Sequence, residues 1–288
     1  MAQKMESAGQ PLTPELAEFY TGVALDQARL AGERILQVYE NGYDVYTKDD
    51  DTPLTTADLA ANRCIVDGLR RIVPDLPVLS EESSAVPFAE RTDWSRYWLV
   101  DPLDGTREFI KRNGEFSVNI ALIDNGIPVI GVVYGPVMDV AYYGARGYGA
   151  WKQVGQQAPV KIHARRAPRD RVTVARSRSP VTGPNMRTFL SKLGDHDEIA
   201  MGSALKSCLV AEGVADIYAR LGPTSEWDTG AAQCIVREAG GRITDIRLRD
   251  LRYNTRESLL NPHFLVVGDA RGRDWAAYLP PDLKEYPG

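Results

Sequence analysis

Tyr97-Trp98-Leu99-Val100-Asp101-Pro102-Leu103-Asp104-Gly105-Thr106 joins a short apolar run to a polar turn that begins on an acid. The run reads as a buried strand, and residues 107–112 behind the turn read as a short helix. A strand end facing a helix start favours anions, because free backbone N–H groups and the helix dipole point at the ligand. With Pro102 fixing the backbone between them, Asp101 and Asp104 can aim both carboxylates and the Leu103 carbonyl into one pocket. Such hard oxygen donors suit Mg²⁺. Asp-Pro and Asp-Gly are also ordinary turn dipeptides, so the segment alone fits a plain turn as well.

On the N-terminal side, Thr13-Pro14-Glu15 reads as a helix start, and apolar residues recur at helical spacing up to the stop at Asn41-Gly42. A second helix is expected over residues 57–72, closed by Pro74, with a polar loop, Thr47-Lys48-Asp49-Asp50-Asp51-Thr52-Pro53, between the two. On the C-terminal side, residues 117–123 and 127–134 are apolar runs joined by Asp124-Asn125-Gly126, a hairpin signal. Residues 140–143 and 150–151 continue the strand pattern. After the Gln/Gly stretch around residue 155, strand candidates at 172–175, 215–218 and 242–244 alternate with helix candidates at 186–193, 204–212 and 229–239. The expected class is α+β: a half spanning residues 1–157 with helices on a mainly antiparallel sheet, and an α/β half spanning 158–288.

Composition narrows the chemistry. The chain has 288 residues, 34 Lys+Arg against 39 Asp+Glu and a net charge of −5, so it lacks the basic stripe of a nucleic-acid polymer binder. No apolar run is long enough for a transmembrane segment, and Met1 to Glu15 lacks a signal-peptide core. Cys64, Cys208 and Cys234 are scattered among aliphatic residues and read as free thiols in a reducing cytoplasm. His163, His196 and His263 form no catalytic pattern with them. The chemistry is expected to come from carboxylates.

Three further segments supply them. Leu79-Ser80-Glu81-Glu82-Ser83 puts acids after an apolar run, Trp227-Asp228 puts one at a helix mouth, and Thr55-Thr56-Ala57-Asp58 puts an acid and hydroxyls at a helix start. Asp58 and Asp228 also suit a plain helix-dipole role. Together with the central turn, these segments resemble the signature of the inositol monophosphatase superfamily of lithium-sensitive, Mg²⁺-dependent phosphomonoesterases, in order and over nearly the whole chain. The stretch Arg107-Glu108-Phe109-Ile110-Lys111-Arg112-Asn113-Gly114-Glu115-Phe116 resembles the bacterial CysQ branch, as do Gly202-Ser203-Ala204-Leu205-Lys206, Leu221-Gly222-Pro223-Thr224 and Arg256-Glu257-Ser258. Members of that branch are 3′(2′),5′-bisphosphate nucleotidases, phosphoric monoester hydrolases acting on adenosine 3′,5′-bisphosphate, a by-product of sulfate assimilation.

The resemblance implies a five-layered αβαβα sandwich, a cytoplasmic enzyme with peripheral association at the inner membrane face left open, and a homodimer as the family expectation. It implies two or three Mg²⁺ ions held by Glu81, Asp101, the Leu103 carbonyl, Asp104 and Asp228, with Asp101 bridging two of them. Asp58 and Thr106, with Glu81, would position and activate the attacking water, and the Gly105 and Thr106 N–H groups would cradle the scissile phosphate. Glu81, Leu103, Asp104 and Asp228 would thereby also border the substrate. Ser203, Lys206 and Arg220 would hold the rest of the nucleotide, with Arg220 standing where inositol phosphatases carry an acid. Ser177-Arg178-Ser179 is followed by Pro180 where relatives often have a histidine, which leaves base selectivity open. The alternatives are an inositol or sugar phosphatase of the same superfamily and a non-catalytic metal- or nucleotide-binding relative.

Overall fold

The computed structural model describes residues 12–42, 44–47, 53–83, 86–168, 170–178 and 183–285. The acidic loop Asp49-Asp50-Asp51 and the Ser179-Pro180 step lie outside them.

The first layer is a pair of helices, α1 (Pro14–Asn41) and α2 (Thr56–Ile72), linked through a small antiparallel hairpin of β1 (Val45–Thr47) and β2 (Pro53–Thr55). Helix α1 starts where the sequence signals it, with the Thr13 hydroxyl accepting from Leu16 N at 3.3 Å, and stops at Gly42 with φ 92°. Its buried face is rich in small residues, Ala17, Ala24, Ala28 and Ala31, which lets it sit close on the sheet below.

That sheet has seven strands in sequential order: β3 (Val78–Ser80), β4 (Arg96–Asp104), β5 (Ser117–Asp124), β6 (Ile127–Gly135), β7 (Val140–Ala145), β8 (Gly149–Val154) and β9 (Val160–Ile162). Only the β3–β4 pair is parallel. The short helices α3 (Phe88–Arg91) and α4 (Thr106–Ile110) flank β4. Asn125 and Gly126 both take positive φ, 51° and 72°, as a tight two-residue hairpin turn requires. Both faces of the sheet are covered, so side chains alternate between two cores. Trp98 and Val100 point to the helix-pair side, and Tyr97 and Leu99 to the other. This double burial explains why these strands read as continuous apolar runs rather than as alternating ones.

The remaining layers are α6 (Leu205–Ala211) with α7 (Glu226–Glu238), then a five-stranded sheet, then α5 (Pro184–Leu193) with a 3₁₀ turn at Trp275–Tyr278. The second sheet is ordered β11-β10-β12-β14-β13, from β10 (Val172–Arg176), β11 (His196–Ala200), β12 (Ile217–Arg220), β13 (Arg242–Asp245) and β14 (Phe264–Val267). The expected αβαβα sandwich is therefore present.

Besides the β1–β2 pair, whose ends fall in the expected polar loop, three strands carried no clear signal. β11 is a polar edge strand, His-Asp-Glu-Ile-Ala, with none of its residues fully buried. β14 is only four residues long. β9 pairs with β8, so the first sheet runs to Ile162, past the Gln157/Ala158 seam read from the sequence.

Helix α7 is clamped hard onto the first sheet. A Cβ on Gly131 of β6 would lie 2.1 Å from the Ala231 carbonyl oxygen, and one on Gly230 would lie 2.9 Å from Leu99 Cδ2. That close approach brings the start of α7 to the end of β4.

A candidate metal and phosphate site

Strand β4 ends in an irregularity: its register with β5 shifts between Asp101 and Asp104. The shift lets two acids of one strand turn toward the same space. Asp101 Oδ1 accepts from Leu103 N at 3.0 Å, which folds the Pro102-Leu103 step back over the carboxylate. Asp104 Oδ2 accepts from Ala204 N at 2.5 Å and from Asn119 Nδ2 at 3.3 Å. Asp228 enters from α7, where its Oδ2 accepts from Ser225 N at 2.8 Å in a capping box. Asp101, Asp104 and Asp228 each offer a carboxylate oxygen, and the three oxygens lie within 4.8 Å of one another. Glu81, in the 3₁₀ turn after β3, is not among the three but stands close enough to Asp101 to raise its pKa.

The second capping box sits at α2. The Thr55 N–H and hydroxyl donate to Asp58 Oδ2 at 2.7 and 2.6 Å, and Thr106 Oγ1 donates to Asp58 Oδ1 at 3.1 Å. Thr106 Oγ1 also lies 3.4 Å from the Leu103 carbonyl oxygen. Asp58 and Asp228 thus both close capping boxes at helix starts.

The electrostatics follow from burying like charges together. Burial, then the neighbouring Glu81, Asp104 and Asp228, push the Asp101 carboxyl well above the usual carboxylate range. Burial also raises Asp104, opposed by the Lys206 ammonium. Asp228 is pushed up to about 8, first by burial and then by Asp104 and Glu81. Asp58 is raised by burial, while its hydrogen bonds from Thr55 and Thr106 pull the other way.

Asp104 and Asp228 open into a cleft of about 530 Å³. Gly105, Ser203, Lys206, Arg220, Asp104 and Asp228 all line it. Gly105 caps α4 with φ 96°, a left-handed conformation that favours glycine. Lys206 is only 6% exposed; its Nζ donates to Ser203 O at 2.6 Å and lies 5.2 Å from the Tyr218 ring centroid. A solvated helix lysine is thereby ruled out. Its pKa is lowered chiefly by burial, against the pull of Asp104. Arg220 Nη2 donates to Pro223 O at 2.9 Å, which holds the guanidinium along the cleft wall.

A family model described as the inositol monophosphatase family matches residues 16–275. The chain belongs to the inositol monophosphatase family. Within the family it is 50% identical over 243 residues to the 3′(2′),5′-bisphosphate nucleotidase CysQ of Salmonella typhimurium, covering 83% of this chain and 96% of that protein. The protein of the same name from Escherichia coli K12 is 49% identical over 242 residues, with the same coverage. Among solved structures, CysQ from Bacteroides thetaiotaomicron is 41% identical with a TM-score of 0.76, covering 89% of this chain and 98% of that one.

In this family member, Asp101, Asp104 and Asp228 form the acidic cluster and Gly105, Ser203, Lys206 and Arg220 line the cleft, while Leu103, Thr106 and Asp58 connect to the cluster through a chain of hydrogen bonds from Asp101. Several others that matter locally were not read. Thr55 and Ser225 are the caps that orient Asp58 and Asp228; each stands three residues before an acid, the capping-box spacing. Asn119 is a polar residue in a wholly buried strand, 1% exposed, and it braces Asp104. Glu115 accepts two hydrogen bonds from the Arg178 guanidinium, a contact between distant segments that no local pattern reveals.

Proposed function

We propose that this chain is a Mg²⁺-dependent 3′(2′),5′-bisphosphate nucleotidase that hydrolyses adenosine 3′,5′-bisphosphate to AMP and phosphate. The observation that carries the reading is the layout of one cleft. Three carboxylates cluster together, two of them, Asp104 and Asp228, line the cleft, and Lys206 and Arg220 line the same space. The 49–50% identity to proteins named for this activity supports the substrate class.

The donor set fits hard divalent cations. Three carboxylates that raise one another's pKa are unfavourable as anions unless a cation sits among them, and all their donor atoms are oxygen. Asp101, Asp104, Asp228, Glu81 and the Leu103 carbonyl are the residues that would hold Mg²⁺. Divalent cations bound there supply Lewis acidity, offsetting phosphoryl charge and easing deprotonation of water.

The chain's own groups do the rest. The Thr106 hydroxyl, donating to Asp58 Oδ1, keeps its lone pairs for a water proton, so Thr106 orients the nucleophile and Asp58 takes up the proton. Burial raises the Asp58 pKa, which makes it a better proton acceptor than an exposed carboxylate. The Gly105 and Thr106 N–H groups donate to the scissile phosphate at the mouth of α4. Water attacks phosphorus, the bond from phosphorus to the ribose 3′-oxygen breaks, and that oxygen takes up a proton as AMP leaves. Arg220 and Lys206 hold the second phosphate by charge-assisted hydrogen bonds. A homodimer is the expected assembly.

An inositol phosphatase would present an acid to sugar hydroxyls where Arg220 stands, so the cation favours the bisphosphate. The test is phosphate release from adenosine 3′,5′-bisphosphate and inositol 1-phosphate side by side with Mg²⁺. A higher kcat/KM on the nucleotide is expected; a higher value on the inositol ester overturns the assignment.

A further inference from the structure

Behind the cleft wall, the Glu115 carboxylate ties together two segments that line the cleft. Its Oε2 accepts from Arg178 Nε at 2.6 Å and from Gly202 N at 3.0 Å, while Oε1 accepts from Arg178 Nη2. Ser177 and the pair Gly202-Ser203 face the cleft; Glu115 and Arg178 do not. We infer that the Glu115–Arg178 pair is a positioning device for nucleotide selection, holding the Gly202–Ala204 strap and the Ser177 turn at the spacing a nucleoside bisphosphate requires; this rests on the nucleotidase reading above.

The strap is pinned at both ends by carboxylates of the first half: Gly202 N by Glu115 and Ala204 N by Asp104. Between the pins Ser203 takes φ 48°, a left-handed conformation that a serine keeps only when its surroundings impose it. The Ser203 carbonyl in turn fixes the Lys206 ammonium. Gly202 leaves no slack, since a Cβ there would lie 2.1 Å from Glu115 O. A shift of Glu115 is therefore passed to Gly202, Ser203 and Lys206.

The exposure pattern argues against a purely stabilising role. The Arg178 side chain is 52% exposed, so its ion pair adds little to global stability. The Glu115 side chain is 9% exposed; without Arg178, its buried charge keeps the Gly202 N–H but loses its counter-ion. The local geometry is what suffers. Glu115 and Arg178 belong to the Arg107–Phe116 and Ser177–Ser179 stretches, to which the mechanism gave no role beyond the cleft.

The test measures kcat and KM with Mg²⁺ on adenosine 3′,5′-bisphosphate and on para-nitrophenyl phosphate, which has no second phosphate or nucleoside. Arg178→Met and Glu115→Gln are each expected to raise KM for the bisphosphate about tenfold, while kcat/KM on the aryl ester falls less than about threefold. Arg178→Lys is expected to recover part of the loss, and the double variant is expected to be no worse than the worse single one. Bisphosphate KM values within twofold of wild type in both single variants would overturn the inference, as would equal losses on both esters. A wild-type enzyme that ignores the bisphosphate sinks the nucleotidase reading and this inference together, whereas an active wild type with unaltered variants sinks this inference alone.

Discussion

The Thr106 hydroxyl donates to Asp58 Oδ1 across 3.1 Å, while Asp58 Oδ2 is taken by the Thr55 backbone and hydroxyl. One carboxylate thus caps α2 and fixes the Thr106 hydroxyl. The cap fixes the carboxylate plane, so the geometry of Thr106 is set by the start of a helix in the outermost layer.

Asp58→Asn keeps an acceptor oxygen for the cap but cannot take up a proton. Its kcat is expected to fall by about 10²–10⁴-fold, with a stability change under about 1 kcal/mol. Thr106→Val should lose kcat on a similar scale with KM little changed. Steady-state kinetics and thermal melts check both; a variant with near wild-type kcat removes Asp58 or Thr106 from the mechanism.

The raised carboxyls give a pH signature to the metal-free protein. The Asp228 carboxyl holds its proton to about 8 in the folded state against 3.8 ordinarily, so the stabilisation it contributes is complete below pH 3.8 and is lost as pH rises through about 8. Asp101 and Asp104 shift in the same direction. In chelator, the thermal midpoint is expected to fall between pH 5 and 8.5, and the increment gained on adding Mg²⁺ should grow over the same range. A Mg²⁺ increment that shrinks with rising pH would contradict the ligand assignment.

Packing of α7 on the first sheet sets where Asp228 stands. Gly131→Ala would drive a methyl into the Ala231 carbonyl, for an expected loss of about 1–3 kcal/mol and a several-fold rise in the Mg²⁺ concentration needed for half-maximal rate. Gly22→Ala, in α1 with open space around it, should leave the Mg²⁺ requirement alone and stabilise by about 0.5–1 kcal/mol. Melting curves and Mg²⁺ titrations separate the two.

Much of this was legible in the chain. The two long helices, the Asp124-Asn125-Gly126 hairpin and the acids of the site all carry local signals of cap, turn or period, and the structure keeps them. What escaped reading depends on distant partners. β11 is helped into its edge position by β10 rather than by apolar residues of its own. Strand β12 begins at Ile217 rather than 215; Asp216, just before it, is fully buried, and its carboxylate accepts from Arg165 and Thr173 N, partners that lie far away in sequence. Glu115 and Arg178 lie sixty-three positions apart, and only folding gives them a common role.

Arg220 tests the substrate end of the cleft. Its guanidinium is held by Pro223 O beside Lys206, so Arg220→Glu should lower kcat/KM on the bisphosphate by about 10²-fold or more, and on para-nitrophenyl phosphate far less. Equal losses on the two esters would remove Arg220 from recognition of the second phosphate.

The central claim is that the acidic cluster acts on the 3′-phosphate of a nucleoside bisphosphate. Chromatography of adenosine 3′,5′-bisphosphate incubated with the protein and Mg²⁺ tests it most directly. Adenosine 5′-phosphate and inorganic phosphate should appear in equal amounts, and neither should form in chelator. Adenosine 3′-phosphate as the product, or an unconsumed nucleotide beside ready hydrolysis of inositol 1-phosphate, would contradict it.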